Sequence, residues 1–303
     1  MLDFLLSLIR AVPGSVAQGL VWGVMAIGVF ITFRLLDYAD LTVDGSIATG
    51  GAVCVMLILA GWDPIPALLM AFLAGCFAGF VTGLLHTSLG IPAILSGILT
   101  QLALYSVNMR IMGKSNQAVS VDKFPLLLSS RYNPAAILVS GALVIAVIAA
   151  LYWFFGTELG CSIRATGSNP SMSRAQGINT GRNKVIALTL SNGLVGLSGG
   201  LLAQYSGAAD VKMGQGAIVI GLAAVIIGEV VFGHLFRNFG LRMLGVALGA
   251  VIYYIVIAAV VRMGLSTTDL KMFSAIVVAV FLSVPHFREK LGARKRRRVK
   301  ENA

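Results

Sequence analysis

The sequence predicts an all-α, polytopic membrane helix bundle with about nine (8–10) crossing segments, and three observations carry that expectation. Of the 303 residues, 57% are hydrophobic. Only 12% are charged, about half the share found in a soluble domain. The apolar residues are gathered in runs close to the ~20 residues needed to cross a hydrocarbon core. A soluble fold of this size needs polar residues to cover its surface, and this chain has too few. Lipid tolerates such a composition.

The runs fall at 16–34, 45–60, 65–86, 91–109, 135–155, 184–204, 216–233, 241–261 and 271–286. Gly19 and Gly23 in the first run stand four residues apart, as do Gly245 and Gly249 in the eighth. In the third, Gly75, Gly79 and Gly83 keep that spacing. Small residues at this interval let helix backbones approach closely in lipid, so packing is their expected role. The second run is short. Asp44 followed by Gly45 marks a possible helix break there, and an N-terminus at such a break is suited to receive a carboxylate. No cleavable leader is expected, because the first run lacks a strongly basic start and a small-residue cleavage site.

Between Gly156 and Arg182 lies a long polar loop, GTELGCSIRATGSNPSMSRAQGINTGR. Ser168 and Asn169 before Pro170 are a helix-start signal. A short helix over about 170–176 would stop at Gly177, a C-terminal cap. After the last run, Arg288 to Lys300 holds eight basic residues, offset only by Glu289 and Glu301, and supplies about +6 of the net +11. A basic stretch directly behind an apolar run reads as a cytoplasmic anchor beside anionic lipid rather than a nucleic-acid site. The chain thus divides into a single membrane domain, 1–287, and a basic cytoplasmic tail, 288–303. Counting back from that tail puts the 156–183 loop inside, consistent with Arg164, Arg174, Arg182 and Lys184 against Glu158. The 110–134 loop falls outside although it carries Arg110, Lys114, Lys123 and Arg131. Nine crossings put the N-terminus outside and ten put it inside.

Several short matches to chemistry fail on context. Gly113-Lys114-Ser115 ends like a phosphate-binding loop, but Asn108 stands where that motif needs its first Gly. Leu197-Ser198-Gly199-Gly200 echoes an ATPase signature, yet it lies inside an apolar run, where close packing explains it. Cys54, Cys76 and Cys161 are odd in number and lack Cys-x-x-Cys spacing, so neither disulfides nor a metal site is expected. His86, His234 and His286 stand far apart at segment ends. Asp37, Asp40 and Asp44 cluster without a histidine, a weak metal signal. Polar groups in lipid usually face a cavity or another helix. The candidates are Asp44 and Ser46 on the second segment; Thr100, Gln101, Tyr105 and Asn108 on the fourth; Asn192 and Gln204 on the sixth; and Glu229 on the seventh. The pathway candidates among them are Asp44, Ser46, Gln101, Tyr105, Asn108 and Asn192.

The run RATGSNPSMSRAQGIN resembles the cytoplasmic coupling segment of ABC importer permeases of the branched-chain amino acid and ribose permease family. LTVDGSIATGGA at 41–52 resembles that family's second membrane segment. IPAILSGILTQLALYSVNMRIMGKSN and SNGLVGLSGGLLAQYSGAADVKMGQGAIVIGLAAVIIGEVVFG resemble the branch paired with tryptophan/tyrosine-type substrate-binding lipoproteins. The likeness covers about 15–285. It implies a permease in a bacterial inner membrane, multi-pass, with its C-terminus cytoplasmic. It further implies import of a small solute, an amino acid, with aromatic ones among the candidates. Two permease copies would pair, an external lipoprotein would deliver the solute, and a separate cytoplasmic ABC ATPase would drive the cycle. This chain would then be no enzyme and bind no cofactor, with ATP and Mg held by the partner. On the same resemblance, Arg164, Gly167, Asn169, Arg174, Gly177, Ile178 and Asn179 match the coupling motif and would dock the ATPase through a helix near 168–178.

Two other classes stay open. A secondary transporter or channel driven by an ion gradient usually carries titratable groups at mid-membrane, and these runs are nearly free of Lys, Arg, Asp and Glu. For a membrane-embedded enzyme, the loops offer no paired carboxylates, His-Asp cluster or metal-ligand spacing.

Overall fold

A computed structural model of the chain describes residues 2–262 except 121, 122, 125, 132, 234 and 237, and beyond them 272, 275, 276, 278–280 and 283; side chains are described from position 11 on. The basic tail, most of the 271–286 run, His234 and His286 lie outside the described residues.

The other eight apolar runs all coincide with helices. The first is α1 (Leu2–Phe30), prolonged by a π-helical turn, Ile31–Leu35. Next come α2 (Val43–Leu59), α3 (Pro64–Thr87), α4 (Ala93–Met112) and α5 (Asn133–Gly156). The polar loop folds into α6 (Glu158–Ser168) and α7 (Pro170–Ala175). The chain continues through α8 (Thr180–Ser206), α9 (Ala217–Phe232) and α10 (Phe239–Arg262). Two three-residue strands, β1 (Asn116–Ala118) and β2 (Ala208–Asp210), pair antiparallel with Gln117 opposite Ala209. They tie the α4–α5 connection to the α8–α9 connection.

Among the described residues, five helices are long and apolar enough to cross a membrane: Ala11–Leu35, α3, α5, α8 and α10. The helices α2 and α9 are shorter, at 17 and 16 residues. At 1.5 Å per residue each reaches only about 25 Å, less than the ~30 Å of a hydrocarbon core. The all-α membrane bundle is therefore plain, while the expected nine crossings exceed what helix length alone establishes.

Burial separates centre from rim. The most apolar windows of α1 and α8 are 78% and 72% buried, against 22% for α5. α5 turns Leu138, Ile145 and Trp153 outward, and α3 turns out Ile65, Leu69, Leu73 and Phe77. The inward face of α3 is small instead. A Cβ on Gly75 or Gly79 would run into the carbonyls of Asn192 and Leu188, and one on Gly83 would lie 3.0 Å from Val185 Cα. Large apolar groups outside and glycines inside reverse the pattern of a soluble helix, as expected where lipid is the solvent. The same close approach joins α1 to α10: a Cβ on Gly19 would sit 2.6 Å from Val251 Cα, and one on Gly23 3.2 Å from Ala247 Cα.

The rejected motifs find structural explanations. Gly113 is the left-handed C-cap of α4 (φ +68°). Within α8, Gly199 lies against the Ile47 carbonyl, and Ser198 Oγ donates to the Val21 carbonyl at 2.8 Å. One expectation needs correction. The helix break falls at 36–42, ahead of Asp44, which lies in the first turn of α2. A π-helical turn ends the first helix, Asp37 takes φ +52°, and Asp40 Oδ1 accepts from the Thr42 amide at 2.9 Å. Those local bonds stop one helix and start the next without Gly45.

Candidate functional site

The two short helices meet at their N-termini inside the bundle. Ser46 donates to Asn192 Oδ1 at 2.6 Å, and Asn192 lies against Gly75, the midpoint of α3. Asp44, half a turn from Ser46, therefore sits near the middle of the bundle's depth. Its carboxylate accepts from the backbone N–H of Gly216 at 2.9 Å and of Ile218 at 3.0 Å, in the first turn of α9. One acid thus lies at the positive ends of two helices, which explains a carboxylate here without a Lys or Arg partner among the described residues. The N-terminus that receives this carboxylate is that of α9, not the break that Asp44-Gly45 suggested, and the carboxylate is the chain's own.

Beside Asp44 opens a cavity of about 150 Å³ lined by Gln101, Tyr105, Asn108 and Gln215 among others. Gln101, Tyr105 and Asn108 follow the i, i+4, i+7 spacing that puts them on one face of α4. Gly45 lets that face approach, since a Cβ there would lie 3.1 Å from Gln101 Cα. Four of the six pathway candidates therefore line one cavity, three from α4 and Asp44 from α2. Asn108 is fully buried, and neither atom of its amide has a hydrogen-bonding partner among the described residues.

Ser46 and Asn192 lie elsewhere, in a buried network. Asn192 Nδ2 donates to Asp40 Oδ2 at 2.6 Å and to the Leu188 carbonyl at 3.1 Å. Thr82 Oγ1 bonds both Thr42 at 2.8 Å and Thr100 at 2.9 Å, while Tyr38 and Ser96 share a bond of 2.9 Å. These groups lock the 36–42 connection to α3, α4 and α8. Gln204 accepts from the Leu127 amide at 3.0 Å, and Glu229 pairs with Arg34 at 2.7 Å on an exposed face. The three clustered acids diverge: Asp37 is exposed, Asp40 bonds α8 and Asp44 caps α9.

At the far end of α8 stands the α6–α7 hairpin. Asn169 Oδ1 accepts from the Met172 amide at 3.0 Å, capping α7 as its sequence foretells. Gly177 closes it with φ +79°, and the Ile178 amide returns to the Ser173 carbonyl at 3.0 Å. Asn179 then caps α8 through the Arg182 amide at 3.0 Å. Arg174 is exposed, with Nε on the Pro170 carbonyl at 3.3 Å. Arg164 lies over the Phe239 ring, 5.5 Å from its centre. Gly167 packs against the Leu35 carbonyl where the π-helical turn ends. Asn183 of α8 donates to Ser162 at 2.6 Å and Thr166 at 2.8 Å of α6. The hairpin is thus fastened to both central helices, while its tip projects.

The residues that sequence reasoning missed are Gln215, whose turn dips beside α2, and Met172, an apolar side chain left exposed at the hairpin tip; Asp40 was singled out only as a weak metal signal, not as the partner of Asn192. Gln215 carried no signal in its own stretch. Met172 lay within the motif but differs from the helix's other residues in being large, apolar and exposed.

The chain matches the family model of the branched-chain amino acid transport system permease component over residues 13–285. It belongs to that family: it is the permease component of an ABC transport system, a multi-pass membrane subunit and not itself an enzyme. It is similar to a tyrosine transport system permease protein of Clostridioides difficile (strain R20291), 38% identical over 266 residues and 88% of each chain. An uncharacterized protein of Rickettsia prowazekii (strain Madrid E) is 31% identical over 89% of this chain and 95% of its own. An autoinducer 2 import system permease protein of Yersinia pseudotuberculosis (serotype O:3, strain YPIII) is 32% identical over 57% of this chain and 49% of its own. No solved structure matches.

Proposed function

We propose that this permease imports an amino acid, with aromatic ones first in line, across a bacterial inner membrane. The reading has it form the pathway as a pair of copies, fed by an external binding lipoprotein and driven by a separate cytoplasmic ABC ATPase. About nine crossings and a cytoplasmic basic tail complete that picture. The observation that carries it is the projecting, doubly capped hairpin, α6–α7, in a chain of this family. Asn169, Arg174, Gly177, Ile178 and Asn179 form or border its tip, and Arg164 and Gly167 join it to the bundle. A short helix held rigid at both ends and fastened to two central helices can pass the movement of a soluble partner into the pathway.

The substrate side of the reading is supported by the similarity to a tyrosine transport system permease. Asp44, Gln101, Tyr105 and Asn108 are the pathway residues of choice, because they share a cavity where two discontinuous helices meet. Ser46 and Asn192 shape that meeting point from behind. The test is uptake of labelled L-tyrosine into proteoliposomes holding permease, ATPase and binding protein. ATP-dependent accumulation without an ion gradient supports the reading. Accumulation driven by a gradient in the absence of the ATPase would replace it with a secondary transporter.

A further inference from the structure

An amide that is buried with neither its N–H₂ nor its oxygen bonded costs free energy, and native structures keep few of them. Asn108 is such a group, fully buried in the last third of α4. An apolar residue of the same shape would relieve the cost, as the many leucines of α4 do at neighbouring positions. The cavity that Asn108 lines is otherwise rich in neutral hydrogen-bonding groups: Gln101, Tyr105 and Gln215. Among the described residues, no Lys or Arg lines it. The single charge, Asp44, is already compensated by the first turn of α9. Nothing in these walls suits a carboxylate or demands an ammonium. An uncharged group that both donates and accepts fits them, because Asn108 offers one donor side and one acceptor side. The volume, about 150 Å³, is roughly ten times what one water requires. That accommodates the end of a small solute rather than a single solvent molecule.

We infer that this cavity is the specificity subsite of the permease, and that Asn108 reads a hydroxyl on the uncharged end of the transported solute. The inference rests on the amino-acid import reading and adds to it the part of the solute that is read, and by which residue. Its physical basis is an asymmetry. A site built around buried polar groups rejects an analogue lacking the hydroxyl far more strongly than an apolar pocket rejects one carrying it, because those groups are then left unpaired.

The experiment compares uptake of L-tyrosine and L-phenylalanine, which differ by that one hydroxyl, in cells expressing the whole transport system. Wild type, Asn108→Leu and Tyr105→Phe are assayed with the same ATPase and binding protein, so a changed ratio belongs to the permease. The wild type should prefer tyrosine by on the order of tenfold or more. Asn108→Leu should bring the two substrates within about twofold, through a raised KM for tyrosine, without lowering membrane abundance or melting temperature. Tyr105→Phe, which keeps the ring, should lower the preference part of the way. An unchanged ratio in both variants overturns the subsite, while uptake itself continues to support amino-acid import. Uptake of neither amino acid by the wild type sinks the import reading and this inference with it.

Discussion

Asp44 shows at the scale of one residue how a charge survives in lipid. Its two backbone bonds to α9 are charge-assisted, each worth about 1.5–3 kcal/mol in general. Asp44→Ala should therefore destabilise the purified permease by on the order of 2 kcal/mol or more, whereas Asp44→Asn, which keeps the acceptor on one side, should cost about half as much. Thermal unfolding in detergent measures both, and equal losses would show that charge at the α9 N-terminus is not what matters. Uptake should fall in both variants. The polar face of α4 was legible in the sequence, because Gln101, Tyr105 and Asn108 repeat at helical spacing. Ser46 and Asn192 looked equivalent there, since a residue bonded inside a network and one lining a cavity have the same letter and the same apolar neighbours. Only the bond between them, across 146 positions, tells the two apart. Asp40 was visible as one of three clustered acids, but its partner Asn192 is 152 positions away and left no local trace.

Among the elements, the α3–α8 seam depends on glycine at places that the four-residue spacing identified. Gly79→Val would force a branched side chain into the Leu188 carbonyl and should cost about 1–3 kcal/mol or abolish accumulation. Gly156→Ala, where nothing lies within 4 Å of the added carbon, should stay within about 0.5 kcal/mol. Comparable losses at the two sites, by thermal unfolding and membrane abundance, would contradict the packing account. The short helix α7 was legible from Asn169, Pro170 and Gly177 alone, because caps are local chemistry. Asn169→Ala removes one cap and should loosen α7 by about 1 kcal/mol. Hydrogen exchange of the Met172 amide should rise while that of α8 does not. The starts of α2 and α9 were less legible. Asp44-Gly45 suggested the break, but the π-helical turn and the dip of 211–216 toward Asp44 are set by tertiary bonds that no neighbouring residues announce.

For the whole molecule, composition sufficed to place the chain in a membrane, since lipid and the pairing of helices, not water, satisfy its surfaces. It did not settle how many helices cross, because α2 and α9 are too short to span by length and enter the bundle part-way. The polar centre lies at that meeting point, beside the middle of α8, and the hairpin lies at the N-terminal end of α8, which touches both. Central to the account is the claim that this hairpin couples the permease to an ATPase on another chain. The direct test is to purify the tagged permease in mild detergent, beside the double variant Asn169→Ala with Arg174→Glu, and to assay the eluates for ATP hydrolysis. An ATPase that co-purifies with wild type and is lost from a normally abundant, folded variant is the result predicted. Retention of the same ATPase by the variant would contradict the docking site, and absence of any ATPase from the wild type in several detergents would contradict the coupling itself.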